Sequence, residues 1–63
     1  MYFYQAQWWD EGNQFGELRK TREEAIADLA AMGCPVEKLV EDEQHSRLMY
    51  VPGMGYSIAI TRV

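Results

Sequence analysis

The fold is decided by residues 21–35, which have the sequence TREEAIADLAAMGCP. Thr21 is a favourable N-cap residue, and Glu24 three positions later completes a capping box. Apolar residues then recur at helical spacing: Ile26, Leu29 and Ala30. Gly33 can adopt the left-handed conformation that ends a helix, and the proline two residues later prevents continuation. The pattern therefore predicts a helix over residues 22–32.

Before this helix, residues 1–9 are rich in aromatic side chains, which favour a half-buried strand. Alternation places Tyr2, Tyr4, Ala6 and Trp8 on one face and Met1, Phe3, Gln5, Gln7 and Trp9 on the other. Because both faces carry aromatic side chains, the pattern leaves open which of them the helix covers. Residues 10–13 have turn composition, and residues 14–19 form a possible second strand.

After the helix, residues 34–44 are compatible with a short helical turn that starts at Pro35, with a strand or with a loop. Residues 47–51 and 56–63 are rich in strand-forming side chains. They flank Pro52-Gly53-Met54-Gly55, and this arrangement predicts a hairpin. The sequence thus predicts a single α+β domain over residues 1–63, with one amphipathic helix on an antiparallel sheet of three to four strands, in the order β(β)αββ.

Composition excludes several classes of protein. The 63 residues carry a net charge of −4, and apolar residues make up 48% of them, too many for a disordered tail. No apolar run approaches the roughly 20 residues of a membrane span. A single cysteine excludes an internal disulfide, and residues 1–9 lack the basic leader and cleavage site of a signal peptide. We therefore expect a cytoplasmic location, in the host cell if the gene is phage-encoded.

The acidic residues are concentrated in one part of the sequence. Residues 23–43 contain seven acids against Lys38 alone, a local net charge of −6. The acids are Glu23, Glu24, Asp28, Glu37, Glu41, Asp42 and Glu43. Such a run is commonly a solvated face that keeps a small protein soluble. The alternative is a negative surface that imitates a phosphate backbone and docks on a basic groove, whereas direct binding to nucleic acid is disfavoured by charge repulsion.

The aromatic strand supplies the second candidate surface. Loops or residues 34–44 can cover its aromatic side chains, which then belong to the core. Otherwise Trp8 or Trp9 lies on an open sheet face, and exposed tryptophan is typical of protein interfaces. We therefore add Trp8 and Trp9 to the acids as candidate partner-binding residues.

The residues that could carry catalysis do not form a recognisable set. Cys34 and His45 are too few to predict a zinc site, and a nucleophilic Cys34 would also need an orienting group. Gly53-Met54-Gly55 lacks the lysine and serine or threonine of a phosphate loop. We therefore predict a protein that is not an enzyme and that has no cofactor, no metal and no membrane partner.

In size, in acidity and in its layout of one helix and a sheet, the whole chain resembles the small phage-encoded anti-CRISPR inhibitors. The residues that carry this resemblance are the helix acids Glu23, Glu24 and Asp28 and the run Glu37, Glu41, Asp42 and Glu43. The resemblance implies a stoichiometric inhibitor whose acids face the Lys and Arg side chains that hold nucleic acid in a CRISPR effector. The alternative from another class is a self-associating structural or accessory domain, a homodimer through its aromatic sheet face.

Overall fold

A computed structural model of the chain describes residues 1–10, 12–42 and 47–63. Its elements are β1 (Tyr2–Trp8), β2 (Gln14–Phe15), α1 (Arg22–Ala31), a 3₁₀ turn (Val36–Lys38), β3 (Val40–Glu41), β4 (Arg47–Tyr50) and β5 (Tyr56–Arg62). The strands form one sheet in the order β2-β1-β5-β4-β3, and every neighbouring pair is antiparallel. The predicted α+β class is confirmed. The strand count is higher than predicted, because five strands form rather than three to four.

The helix begins where its cap predicts. The Thr21 hydroxyl oxygen accepts a hydrogen bond from the Glu24 backbone N–H, and the helix dipole favours the negative charges in this first turn. The helix ends at Ala31, one residue earlier than predicted, and Met32 is its C-cap. Gly33 follows with φ +97°, a left-handed conformation that explains why glycine occupies this position.

Two segments differ from the sequence expectations. Strand β2 ends at Phe15 instead of reaching residue 19, and the chain meets β1 again only at a single bridge between Tyr4 and Arg19. The segment after the helix, which the sequence left open, contains both a 3₁₀ turn and β3. Strand β3 has only two residues, too few to show a strand period.

The core lies between α1 and one side of the sheet, which we call the covered face. Its buried residues are Ala6, Ala25, Leu29, Cys34, Val51, Tyr56 and Ile58. In the register of β1 and β5, Ala6 lies opposite Ile58 and Trp8 lies opposite Tyr56. Ala6 and Ala25 are fully buried, and their small side chains allow α1 to approach β1 closely.

Candidate interaction surfaces

The other side of the sheet, which we call the open face, carries a second set of side chains from all five strands. They follow from strand alternation and register: Phe3, Gln5, Gln7, Phe15, Val40, Arg47, Tyr50, Ser57, Ala59 and Thr61. Trp9, just after β1, joins this set because its indole N–H donates to the Gln7 side chain. The open face therefore combines aromatic, amide and small side chains.

An exposed aromatic pair lies at one end of the open face. The rings of Trp9 and Phe15 are 5.2 Å apart, with an angle of 71° between their planes, an edge-to-face contact. Trp9 is 52% exposed and Phe15 is 51% exposed. The sequence placed Trp9 correctly with Phe3, Gln5 and Gln7, but only the pairing of β2 with β1 brings Phe15 beside it.

A chain of hydrogen bonds fixes the amide side chains of the open face. The Trp9 indole N–H donates to Gln7 Oε1 over 3.2 Å, and Gln7 Nε2 donates to Gln5 Oε1 over 3.1 Å. Gln5 Nε2 then donates to the Gly16 carbonyl over 2.9 Å. These bonds hold the two glutamines in place before any partner arrives. Sequence reasoning missed both glutamines, although their alternation with Trp9 was a usable signal.

The middle of the open face is formed by small side chains and is recessed. Strand β5 contributes only Ser57, Ala59 and Thr61 to it. Ser57 is 2% exposed, since the longer side chains of Gln7 and Tyr50 lie opposite it on the two neighbouring strands. The open face is thus a shallow trough between larger side chains.

A β-bulge places a cation beside this trough. The register shifts between Arg47 and Met49, so Arg47 and Tyr50 are on the same face although they are three positions apart. The Arg47 guanidinium lies 4.3 Å from the centre of the Tyr50 ring, within range of a cation–π contact. Arg47 Nε also lies 2.6 Å from Asp42 Oδ2. Arg47 is the one charged side chain that the described strand residues place on the open face, and its charge is paired.

Trp8 lies on the covered face and is separated from Trp9 by the sheet. Its ring stacks on Tyr56, with centroids 5.0 Å apart and planes within 10° of parallel. It packs against the core, and Tyr56 beneath it is buried. Trp8 and Trp9, both candidate partner-binding residues, therefore lie in different environments.

The described carboxylates of the predicted acidic surface are either half-buried or buried and paired with arginine, or exposed, and of the exposed ones Glu23 lies 3.9 Å from Arg22 Nε. Arg19 Nε and Nη2 donate to the two Asp28 carboxylate oxygens over 2.8 and 3.1 Å. The hydrogen bond from Arg19 to Asp28, followed by the charge of Asp28, raises the pKa of Arg19. Asp42, with a side chain only 4% exposed, is paired with Arg47. Asp28 and Asp42 therefore hold the fold together and do not form part of a free acidic surface.

Four other acids of the set are exposed. Glu23 and Glu24 lie in the first turn of α1, Glu37 lies in the 3₁₀ turn and Glu41 lies on the edge strand β3. Glu24 also accepts a hydrogen bond from the Thr21 hydroxyl over 2.9 Å. The seventh acid of the prediction, Glu43, lies outside the described residues, as does His45.

Cations surround one of these acids. Glu23 lines a cavity of about 390 Å³ beside the start of α1. The other lining residues are Tyr4, Lys20, Thr21, Arg22 and Leu48. The cavity combines two cations with one carboxylate, so the negative potential at Glu23 is partly compensated. Glu37 and Glu41 lie away from this cavity.

The structure gives Cys34 a buried position at the end of the helix. Burial and, to a smaller extent, the charge of Glu37 raise the pKa of its thiol, so the unreactive protonated form dominates at neutral pH. Among residues 1–10, 12–42 and 47–63, no group of three His, Cys, Asp or Glu side chains is arranged to hold a metal ion.

Within the described part of the chain, no helix has the length and apolar character needed to cross a membrane. Comparison of the chain with protein-family models, with curated proteins and with solved structures gives no match. The open face and the exposed glutamates are therefore the features that bear on function.

Proposed function

We propose that this chain is a non-catalytic binding protein that inhibits a nucleic-acid-handling complex, such as a CRISPR effector. In this proposal, its exposed carboxylates pair with the Lys and Arg side chains of the target that otherwise bind phosphates. The inhibitor is stoichiometric, because each molecule acts by staying bound to the surface of one target molecule.

The observation that carries the proposal is the set of four exposed glutamates on the helix, the 3₁₀ turn and the edge strand. Internal pairing with arginine removes Asp28 and Asp42 from the free charge of this region, and Arg22 Nε lies 3.9 Å from the exposed carboxylate of Glu23. The glutamates that remain outnumber Lys38, the one cation of the same segment. An excess of exposed negative charge is what a Lys- and Arg-lined groove attracts, over about 8 Å at physiological ionic strength.

A competitor of this kind resembles DNA only in its charge. Each carboxylate takes the place of one phosphate beside a lysine or arginine of the target, and the protein imitates none of the base-specific contacts. Inhibition should therefore weaken as salt concentration rises, because exposed charge pairs are screened.

The test is restoration of phage plaquing in bacteria that carry an active CRISPR system, with the protein expressed from a plasmid. We expect plaquing to be restored against at least one effector type of a panel. Glu41→Lys should reduce this restoration at least about tenfold, because it places a positive charge of the inhibitor against the positive side chains of the target.

Glu17→Lys is the matched control. It changes the net charge by the same amount, and Glu17 is also exposed but lies outside the acidic set. Because Glu17 pairs with Arg19 over 3.3 Å, circular dichroism of this variant checks that the fold is kept. Plaquing should remain restored with this variant. Failure to restore plaquing across the whole panel contradicts the inhibitor proposal, and equal loss with both variants contradicts the assignment of Glu41.

A further inference from the structure

We infer that the open face is the interface of a homodimer, in which two copies pack face to face around a two-fold axis. The inference goes beyond the proposed function and does not depend on it, because it concerns the open face and not the exposed glutamates. The result would be a four-layer assembly with the two sheets inside and the two helices outside.

Charge is the first argument for a second copy as the occupant. Each chain has a net charge of −4, so two copies repel each other in most orientations. The open face is different, since β1 and β5 contribute no charged side chain to it and Arg47 is paired with Asp42. Two copies can meet there without bringing carboxylates together.

Shape is the second argument. A two-fold interface must be self-complementary, because each copy presents the same surface. The open face carries both components, namely the exposed rings of Trp9 and Phe15 at one end and the low strip of Ser57, Ala59 and Thr61 along its middle. A two-fold axis that lies off the centre of the sheet lets the aromatic side chains of one copy pack over the small side chains of the other, with part of each open face in contact.

Size is the third argument. The described residues include seven buried apolar ones in the core, and chains of this length commonly gain stability from a partner subunit. A sheet of five strands spaced by about 4.8 Å, with seven residues of about 3.3 Å in each strand, would cover about 550 Å², and the open face is smaller because β2 and β3 have two residues each. A pair then buries at most about 1,000 Å² in total, the lower limit of a specific interface. We therefore expect a reversible dimer with a dissociation constant in the micromolar range.

The test is sedimentation equilibrium of the purified full chain from low micromolar to millimolar concentration. The expected result is an apparent mass that rises with concentration towards twice the 7.3 kDa of one chain. A mass that stays at that of the monomer over the whole range overturns the inference, and leaves the face to a different partner. The wild-type measurement needs no variant and so cannot fail through misfolding.

Two variants then locate the interface. Phe15→Glu should raise the dissociation constant at least about tenfold, because a two-fold axis doubles the introduced charge. Tyr2→Glu is the matched control, because Tyr2 is also an aromatic residue that is 54% exposed, but it lies on the covered face, opposite Arg62 of β5. Circular dichroism checks that both variants are folded, and Thr61→Lys provides a second test of the open face. A dimer unaffected by Phe15→Glu and Thr61→Lys, or equally weakened by Tyr2→Glu, overturns the inference.

Discussion

The two faces of the sheet are built by the same strands but serve different purposes. On the covered face, β1 and β5 pair Ala6 with Ile58 and Trp8 with Tyr56, and these side chains pack against the core. On the open face, the same strands carry Phe3 together with amide, hydroxyl and small side chains. A shift of one residue in the register would exchange the two sets, so burial on one face fixes the register for both. Packing on the covered face therefore also determines which side chains lie on the open face.

The largest expected effect is the difference in the free energy of unfolding between a truncation on the covered face and one on the open face. Ile58→Ala should lower the free energy of unfolding by about 2 to 5 kcal/mol, because it leaves a cavity in the core. Phe15→Ala removes a larger side chain but should cost only about 1 kcal/mol in dilute solution, where it loses mainly the contact with Trp9. Urea denaturation at low protein concentration measures both changes. Equal costs would contradict the description of this face as open.

The second prediction concerns the backbone that supports the Trp9 end of the open face. The Trp9 N–H donates to the Gly55 carbonyl over 3.1 Å, and a Cβ at Gly55 would lie 2.6 Å from the Asp10 carboxyl carbon. Because Gly55 also has φ +75° and the exposed Asp10 side chain must rotate away, Gly55→Ala should cost about 1 to 2 kcal/mol and change the fluorescence of Trp9. Urea denaturation and tryptophan emission measure the two effects.

Gly53→Ala is the control for this prediction. Gly53 has φ +77°, but a Cβ there would meet nothing within 4 Å, so only the conformational cost of about 1 kcal/mol remains. Asp10→Ala combined with Gly55→Ala should recover the steric part of the loss. Equal costs for the two glycines would show that the approach of Asp10 is unimportant.

The sequence predicted the elements whose signals are local. The helix had a cap, an apolar period and a terminating glycine, and the last two strands had a turn between them. Strand β3 was left open because two residues carry no period. The choice between the faces of β1 was also left open, although Ala6 held a signal: a helix packs most closely where the strand side chain is small, and Ala6 shares its face with Tyr4 and Trp8.

The candidate site was harder to predict than the fold, because it depends on long-range pairing. A count of charges along the chain treats all acids alike. Arg19 lies nine positions from Asp28, and Arg47 lies beyond the end of the acidic run, yet these two arginines pair with two of its acids. The open face likewise depends on strand order, which brings β2 beside β1 and β4 beside β5.

The smallest expected effect tests the covered side through its only thiol. Burial raises the pKa of Cys34 above its ordinary value of 9.0, so the folded chain holds the thiol proton more tightly than the unfolded chain. The stability from this difference is complete below the unfolded pKa and is lost as the pH rises through 9.0 towards the folded pKa. Native Cys34 should also react with a thiol reagent much more slowly than it does in urea, because it is 7% exposed.

Cys34→Ala separates this effect from the tyrosines and lysines that titrate in the same alkaline range. The free energy of unfolding of the wild type should fall more steeply above pH 9.0 than that of the variant. Labelling of the native thiol at the rate found in urea would show that α1 leaves the sheet readily. Reagents would then reach the covered face of the native protein as readily as in the unfolded chain, which would contradict the distinction between a covered and an open face.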